Sequence, residues 1–281
     1  MRMNKLAFLL CLLTAMACKP DGVKKKETKP VQIGQEDHEI SQLDETKEVV
    51  NKLEMENGII IQWFEHGKGE KLIDGELVSI DYKVALADGK IVDGNHLLKK
   101  ESMPFMIGFQ MQTKGWDVAL KELKVGDFAE IFIPSDLARG EKGIKGLIPP
   151  NADNVLKIRV IEKIKPTRNV DGNKVWVFEE NEKSKKLFSE ENEIQFHCMV
   201  SSPTNPMYVN TYRENKPFSL KLEDSGTVPG LKKALINAKK SDRMFVLVPS
   251  TEAYGSKGLL DIVKPNEDLF YNILVMDVIN K

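Results

Sequence analysis

Apolar and polar residues alternate along three stretches in each half of the chain. In the first half these are LVSIDYKVAL (77–86), FAEIFIPS (128–135) and VLKIRVIEKI (155–164). In the second half they are EIQFHCMV (193–200), DRMFVLVPS (242–250) and DLFYNILVMDVI (268–279). Alternation with a period of two gathers apolar side chains on one face of a strand, so the pattern predicts half-buried β-strands.

Helical spacing occurs once between the strands of each half. In WDVALKELKVG (116–126) the apolar positions fall on one helical face: Trp116, Ala119, Leu120 and Leu123. Gly126 is the expected left-handed stop of this helix, and GLKKALINA (230–238) takes the same place in the second half. A further short helix is predicted over ETKEVVNKLEMEN (45–57) from the apolar positions Val49, Val50 and Leu53. One helix among several strands predicts an α+β fold, with the helix covering a small antiparallel sheet.

The two halves also repeat one another in sequence. Residues 115–143 align without a gap to residues 230–258, which matches Gly115 with Gly230, Asp127 with Asp242, and Gly143 with Gly258. The repeat predicts two tandem domains, residues 47–165 and residues 166–281. The boundary is expected in the polar, turn-rich stretch IKPTRNVDGNK (164–174).

The start of the chain predicts export and a lipid anchor. The apolar run LAFLLCLLTAMA (6–17) is shorter than the ~20 residues that span a bilayer, and it is typical of the core of a secretory signal over residues 1–17. AMAC resembles the lipobox of bacterial lipoproteins, so Cys18 is expected to carry the lipid; the alternative is a secreted protein with an incidental cysteine. Residues 18–46 are polar and predict a tether. The expected location is the bacterial cell envelope, periplasmic or surface-exposed, with the membrane as a partner through Cys18.

Composition and missing motifs exclude several functional classes. The net charge is −1 and 41% of the residues are hydrophobic, so the chain is typical of globular domains and nucleic acid is not an expected partner. No phosphate-binding loop, dinucleotide fingerprint or nucleophile elbow is present, and no cofactor is predicted. The four histidines are far apart in sequence, so no metal site is predicted either: His38, His66, His96 and His197.

Several large apolar residues at loop–strand junctions are then the remaining candidates for a site: Tyr82, Phe105, Trp116, Leu147 and Ile148. Burial in the core is the simpler explanation for them. However, GELVSIDYKVALADGKIVDG, PFMIG, KGWDVALKELKVGDFAEIFIPSDLARGEKG and GLIPPNA resemble the FKBP-type peptidyl-prolyl cis/trans isomerases in order and spacing. The resemblance covers roughly residues 57–165, and it extends more weakly to the second half through VPSTEAYGSKG and KPN. It implies a twisted antiparallel sheet wrapped around a short helix, twice in tandem, acting on proline-containing polypeptide clients.

The resemblance also assigns roles to individual residues of the first domain. Trp116 would be the floor on which the proline ring sits, Asp93 the polar group near the carbonyl, and the Ile148 N–H the donor that holds the peptide. The walls would be Tyr82, Val92, Phe105 and Leu156. Four further residues would line the substrate site: Gln112, Thr113, Arg139 and Leu147. The family commonly has Phe at the positions of Val92 and Leu156, Tyr at Arg139, and apolar residues at Gln112 and Thr113.

The second domain departs at other positions. Leu231 stands in place of Trp116, Cys198 in place of Tyr82, and Asn210 in place of Asp93, whereas Tyr254 and Tyr271 restore aromatic residues at the positions of Arg139 and Leu156. Weak or no isomerase activity is therefore expected there. The second domain is either a packing or spacing module or a peptide-binding groove without turnover.

Two functions follow from these observations. One is a lipid-anchored isomerase and folding helper whose activity resides mainly in the first domain. The other is a non-catalytic peptide- or protein-binding chaperone, or a subunit of an envelope complex, built on the same scaffolds. Trp116 and Asp93 favour catalysis, whereas Val92 and Arg139 favour binding alone.

Overall fold

A computed structural model describes residue 43 and residues 47–280 of the protein. The predicted signal, the lipidated Cys18 and nearly all of the tether lie outside the described residues. Among the described residues, no helix is long and apolar enough to cross a membrane.

The first half contains seven strands and one α-helix between residues 47 and 165. They are β1 (Asn51–Glu54), β2 (Ile60–Glu65), β3 (Leu77–Leu86), β4 (Ile91–Gly94), β5 (Met103–Met106), α1 (Lys114–Leu120), β6 (Phe128–Ile133) and β7 (Asn154–Lys163). The second half repeats this order between residues 166 and 280. Its elements are β8 (Arg168–Val170), β9 (Asn173–Glu179), β10 (Asn192–Ser201), β11 (Val209–Asn210), β12 (Phe218–Leu220), α2 (Pro229–Leu235), β13 (Arg243–Val248) and β14 (Leu269–Asn280).

Both halves build the same antiparallel sheet. The strand order is β1-β2-β6-β7-β3-β4 in the first and β8-β9-β13-β14-β10-β11 in the second, and β5 and β12 pair with β3 and β10. Even the bulges correspond, since β3 shifts register between Ser79 and Ile80, and β10 shifts between Gln195 and Phe196. The prediction of an α+β fold present twice in tandem is confirmed.

The strands predicted from alternation form as expected, because their apolar faces cover the helix. Tyr82, Val84 and the other alternate apolar residues of β3, from Val78 to Leu86, are buried in one core with Trp116 and Leu120 of α1. The second core contains the corresponding residues of β10 and α2. Each single helix therefore covers its sheet as the pattern predicts.

The helix predicted over residues 45–57 is wrong. Residues Asn51–Glu54 form strand β1, which pairs with β2 from Asn51 opposite Trp63 to Glu54 opposite Ile60. The edge of β2 offers unpaired backbone groups that a strand satisfies and a helix would leave open. Val49 and Val50, whose branched side chains favour strands, directly precede this pairing.

The helix predicted around Trp116 is shorter than expected. It ends at Leu120, and Gly126 adopts the left-handed φ of 93° only after an intervening turn. The buried side chain of Leu123 holds this turn against the core. Apolar spacing thus continues past the last helical residue, because turn residues also contribute to the core.

An apolar interface joins the two halves. Leu77 and Phe109 of the first half pack with Trp176, Phe245 and Phe270 of the second in one buried cluster. The Phe109 and Phe270 rings lie 5.8 Å apart. The two halves are therefore in direct contact through side chains, in addition to being linked by the backbone.

Candidate functional site

The pocket residues predicted in the first half converge between α1 and the inner face of the sheet. Trp116 lies in the first turn of α1, and its ring is buried. Tyr82 of β3 meets this ring edge-on with ring centroids 5.3 Å apart, and Phe105 of β5 stacks on it, also at 5.3 Å. Four further predicted residues belong to or pack against the same apolar cluster: Val92, Leu147, Ile148 and Leu156.

The backbone explains why these side chains meet. Val84 of β3 pairs with Leu156 of β7 on one side and with Asp93 of β4 on the other. Gly115 lets α1 approach the sheet closely, since a Cβ there would lie 2.4 Å from Cγ2 of Ile133. A larger residue would therefore push the helix, and the pocket floor with it, away from the strands.

A chain of polar side chains runs along the edge of this pocket. The Tyr82 hydroxyl and the Gly94 N–H donate to one oxygen of Asp93, at 3.2 and 2.8 Å. Gln112 donates through Nε2 to the other Asp93 oxygen at 3.2 Å, and its Oε1 accepts from Arg139 Nη2 at 2.7 Å. Burial and the nearby Asp93 raise the pKa of Tyr82 well above its usual range, so the phenol stays protonated and donates.

The Ile148 N–H, to which the resemblance gives the role of holding the peptide, lies in a closed turn. This N–H donates to the Ile144 carbonyl at 2.8 Å, and the Ile144 N–H donates back to the Ile148 carbonyl at 2.7 Å. The turn that buries the Ile148 side chain therefore also occupies its donor. Thr113 differs, because the hydrogen bonds of the described residues include none from its N–H, and its buried hydroxyl also has no partner.

The loop that carries Gln112 and Thr113 is held from two sides. Asp117 of α1 accepts from the N–H groups of Gly108 and Gln110 at 3.0 and 2.6 Å, and burial raises the pKa of this carboxyl to about 6. The Gln110 side chain donates to the Pro203 carbonyl of the second half at 3.0 Å. The second half thus contacts the loop that forms one edge of the first pocket.

The second half forms an equivalent pocket with different side chains. Cys198 pairs with Ile273 as Tyr82 pairs with Ile158, and Leu231 is the third residue of α2 as Trp116 is of α1. The sequence comparison placed Asn210 at the position of Asp93, but the strand pairing places Val209 there, one residue earlier. Val200 pairs with Val209, as Val84 pairs with Asp93, so the acid of the first pocket corresponds to an apolar residue.

The second pocket contains three tyrosines around a buried thiol. Tyr254 packs against the core beside Tyr208, which the sequence did not suggest, and Tyr271 lies within it. Burial is the main cause that raises the pKa of each phenol. Burial likewise raises the pKa of the Cys198 thiol to about 12, so it is a protonated apolar group and not a nucleophile.

One supporting pair of residues was also missed from sequence. Asn95 Oδ1 accepts from the Tyr82 N–H at 2.7 Å, and Thr211 Oγ1 accepts from the Cys198 N–H at 2.8 Å. Asn95 directly follows β4, which carries Asp93, and Thr211 directly follows β11, which carries Val209. Each side chain therefore ties the end of its short strand to the neighbouring long strand. A different residue type fills the position in each half, so the sequence repeat alone did not reveal it.

The sheet wrapped on a short helix, with an aromatic cluster edged by one carboxylate, is the FKBP-like α+β arrangement that the resemblance implied. The sequence model of the FKBP-type peptidyl-prolyl cis-trans isomerases matches residues 68–161 and 184–276. These two matches cover more than half of the chain, which therefore belongs to this family.

Two bacterial relatives each match less than half of the chain. FKBP-type peptidyl-prolyl cis-trans isomerase FkpA of Escherichia coli (strain K12) is 35% identical over 114 residues, covering 41% of this chain and 40% of the relative. Peptidyl-prolyl cis-trans isomerase Mip of Coxiella burnetii is 30% identical over 105 residues, covering 37% of this chain and 44% of the relative. A crystal structure of the three FKBP domains of wheat FKBP73 gives a TM-score of 0.40 at 22% identity, covering 80% of this chain and 97% of that one. The chain thus spans less than half the length of the first two relatives.

Proposed function

We propose that the protein catalyses cis/trans isomerisation of X-Pro peptide bonds in polypeptide clients, and that the first half carries this activity. The observation that carries the proposal is the buried Trp116 floor between Tyr82 and Phe105, with Asp93 at its edge. The second half has Leu231, Cys198 and Val209 at the positions of Trp116, Tyr82 and Asp93. A non-catalytic binding role is therefore confined to that half.

The chemistry needs no nucleophile. Amide resonance sets a rotation barrier of ~18–20 kcal/mol, and the site must favour the twisted amide over both planar forms. Twisting reduces charge separation in the amide, so a dry pocket lined by Trp116, Tyr82 and Phe105 favours the twisted form. Each ~1.36 kcal/mol of such preference accelerates the reaction tenfold.

Two polar groups would orient the client. The Thr113 N–H is free to donate to a client carbonyl, in the role that the sequence suggested for Ile148. Asp93, held by the Tyr82 hydroxyl and the Gly94 N–H, places one fixed negative group beside the apolar floor. A fixed group of this kind does not have to reorganise as the amide twists.

The full chain should accelerate the cis-to-trans conversion of a short X-Pro peptide. The unaided reaction takes ~10–100 s at 25 °C, so even a modest catalyst is measurable by a protease-coupled assay. An unchanged rate at micromolar protein would contradict the proposed catalysis and would favour the binding-protein alternative.

The second half is proposed to act as a packing module for the first. Its Phe270 contacts Phe109, and its Pro203 carbonyl accepts a hydrogen bond from Gln110. Phe109 and Gln110 precede the loop residues Gln112 and Thr113 at the edge of the pocket. These contacts support a positioning role, and a peptide-binding groove without turnover stays the alternative for this half.

The protein is further proposed to be anchored in the bacterial envelope through Cys18. Replacing Cys18 with Ser should release the protein from the membrane fraction or block its maturation, because the thiol is the lipid acceptor. Mass spectrometry of the mature N-terminus decides the matter. A terminus at another residue, or an unmodified Cys18, would contradict the anchor.

A further inference from the structure

Arg139 occupies the position that Tyr254 holds in the second half. Both residues precede a short 3-10 helix, with almost the same backbone angles, φ −101° and ψ −2° for Arg139 and φ −100° and ψ −1° for Tyr254. The backbone at this corner of the pocket is therefore unchanged, and only the side chain differs. A neutral phenol in one half is replaced by a permanent cation in the other.

The guanidinium of Arg139 is only partly satisfied. Nη2 donates to Gln112 Oε1 at 2.7 Å, which joins Arg139 to Asp93 through the Gln112 amide. No ion pair within residues 47–280 involves Arg139, although the residue is half-buried. Within residues 136–145, Lys142 and Lys145 balance the acids Asp136 and Glu141, so Arg139 supplies the net positive charge of this loop.

Gln112 explains how this cation is kept at the pocket. An apolar side chain at this position could neither accept from Arg139 nor donate to Asp93. The amide of Gln112 does both, so it holds the cation beside the carboxylate without a direct ion pair that would neutralise it. The remaining guanidinium donors stay available to a ligand in the pocket.

We infer that Arg139, positioned by Gln112, is a specificity-determining residue that selects clients with a carboxylate side chain next to the proline. This inference rests on the proposed isomerase function and names the client class that the first pocket prefers. A guanidinium binds a carboxylate with two parallel hydrogen bonds, which a neutral amide of the same shape cannot provide.

The expected size of the preference follows from the burial of Arg139. A hydrogen bond to a charged group at a partly desolvated site favours the Glu peptide over the Gln peptide by about tenfold. The preference should shrink as salt rises from about 0.05 M to about 0.5 M, because mobile ions screen a pair that remains partly exposed.

The test compares peptides that carry Glu or Gln immediately before or immediately after the proline. For the full chain, kcat/KM from the protease-coupled assay and Kd from calorimetry should both favour Glu in at least one position. Arg139→Gln should reduce the Glu/Gln ratio to about one, since it removes the charge but can still donate to Gln112. Arg139→Lys should retain part of the preference, which a purely structural role of Arg139 would not produce.

The two failures are distinguishable. Equal values for Glu and Gln peptides with the unaltered chain, in the presence of measurable catalysis, would overturn the inference and leave the proposed function intact. Absence of catalysis together with a Glu preference in Kd would overturn the proposed function and support the inference. Retention of the full Glu/Gln ratio in Arg139→Gln would also overturn it.

Discussion

Replacing Trp116 with Leu should remove most of the isomerase activity, by at least about tenfold in kcat/KM, because it deletes the floor against which the amide twists. The change reproduces in the first half what Leu231 already provides in the second. Leu is apolar, so the fold should persist with Leu in this buried position. The smaller side chain leaves a cavity, which should lower the free energy of unfolding by about 1–3 kcal/mol. Activity must therefore be measured well below the melting temperature.

Trp63 provides the matched control for this substitution. It is buried in the same core, and its Nε1 donates to Asp127 at 2.9 Å, but it lies outside the pocket cluster of Trp116, Tyr82 and Phe105. Trp63→Leu should lower stability and leave kcat/KM per folded molecule near that of the unaltered chain. Equal activity of Trp116→Leu and the unaltered chain would remove Trp116 from the site.

Replacing Asp127 with Ala should destabilise the first half by about 3–5 kcal/mol, because three donors lose a charged acceptor that is itself buried. One Asp127 oxygen accepts from the Gly67 N–H at 2.7 Å. The other accepts from Trp63 Nε1 and from the Lys124 N–H, both at 2.9 Å. The loss is measured as a lower unfolding midpoint in urea.

The second half offers a graded comparison. Asp242 is the repeat partner of Asp127, and it accepts two backbone N–H groups, from Asn181 at 3.0 Å and Lys239 at 2.8 Å. Asp242→Ala should therefore cost less than Asp127→Ala, and the exposed Asp136→Ala should change the free energy of unfolding by less than about 0.5 kcal/mol. A larger loss of unfolding free energy for Asp242→Ala than for Asp127→Ala would contradict this explanation. It would show that the additional bond from Trp63 Nε1 does not account for the destabilisation in the first half.

The strands and the sheet could be predicted from the sequence because alternation is local. LVSIDYKVAL coincides with β3 at both ends, and its alternate residues face the core. The segment before β2 was mistaken for a helix, since three apolar positions, Val49, Val50 and Leu53, do not distinguish a helix from an edge strand. Its structure depends on β2, which lies outside the segment.

The resemblance named both the apolar and the polar residues of the candidate site, but not the hydrogen bonds that join the polar ones. Trp116 and Tyr82 meet because helix and strand periodicity place both side chains on the core side, whereas the Asp93–Gln112–Arg139 chain joins strand β4 to two separate loops whose geometry no periodicity encodes. The role of the Ile148 N–H came from the resemblance alone, and its bond to Ile144 depends on a closed turn that the sequence pattern does not show. The Val209 equivalence likewise required the strand register.

The most direct test of the central claim is an NMR exchange measurement with the full chain, labelled with nitrogen-15, and an unlabelled X-Pro peptide. The account predicts exchange between the cis and trans peptide signals on the subsecond timescale, far faster than the unaided ~10–100 s. The amide signals that shift with peptide should include Gly94, Thr113 and Trp116 of the first half. Unaccelerated exchange, or shifts confined to residues around Tyr254 and Tyr271, would contradict the assignment of isomerase activity to the first half.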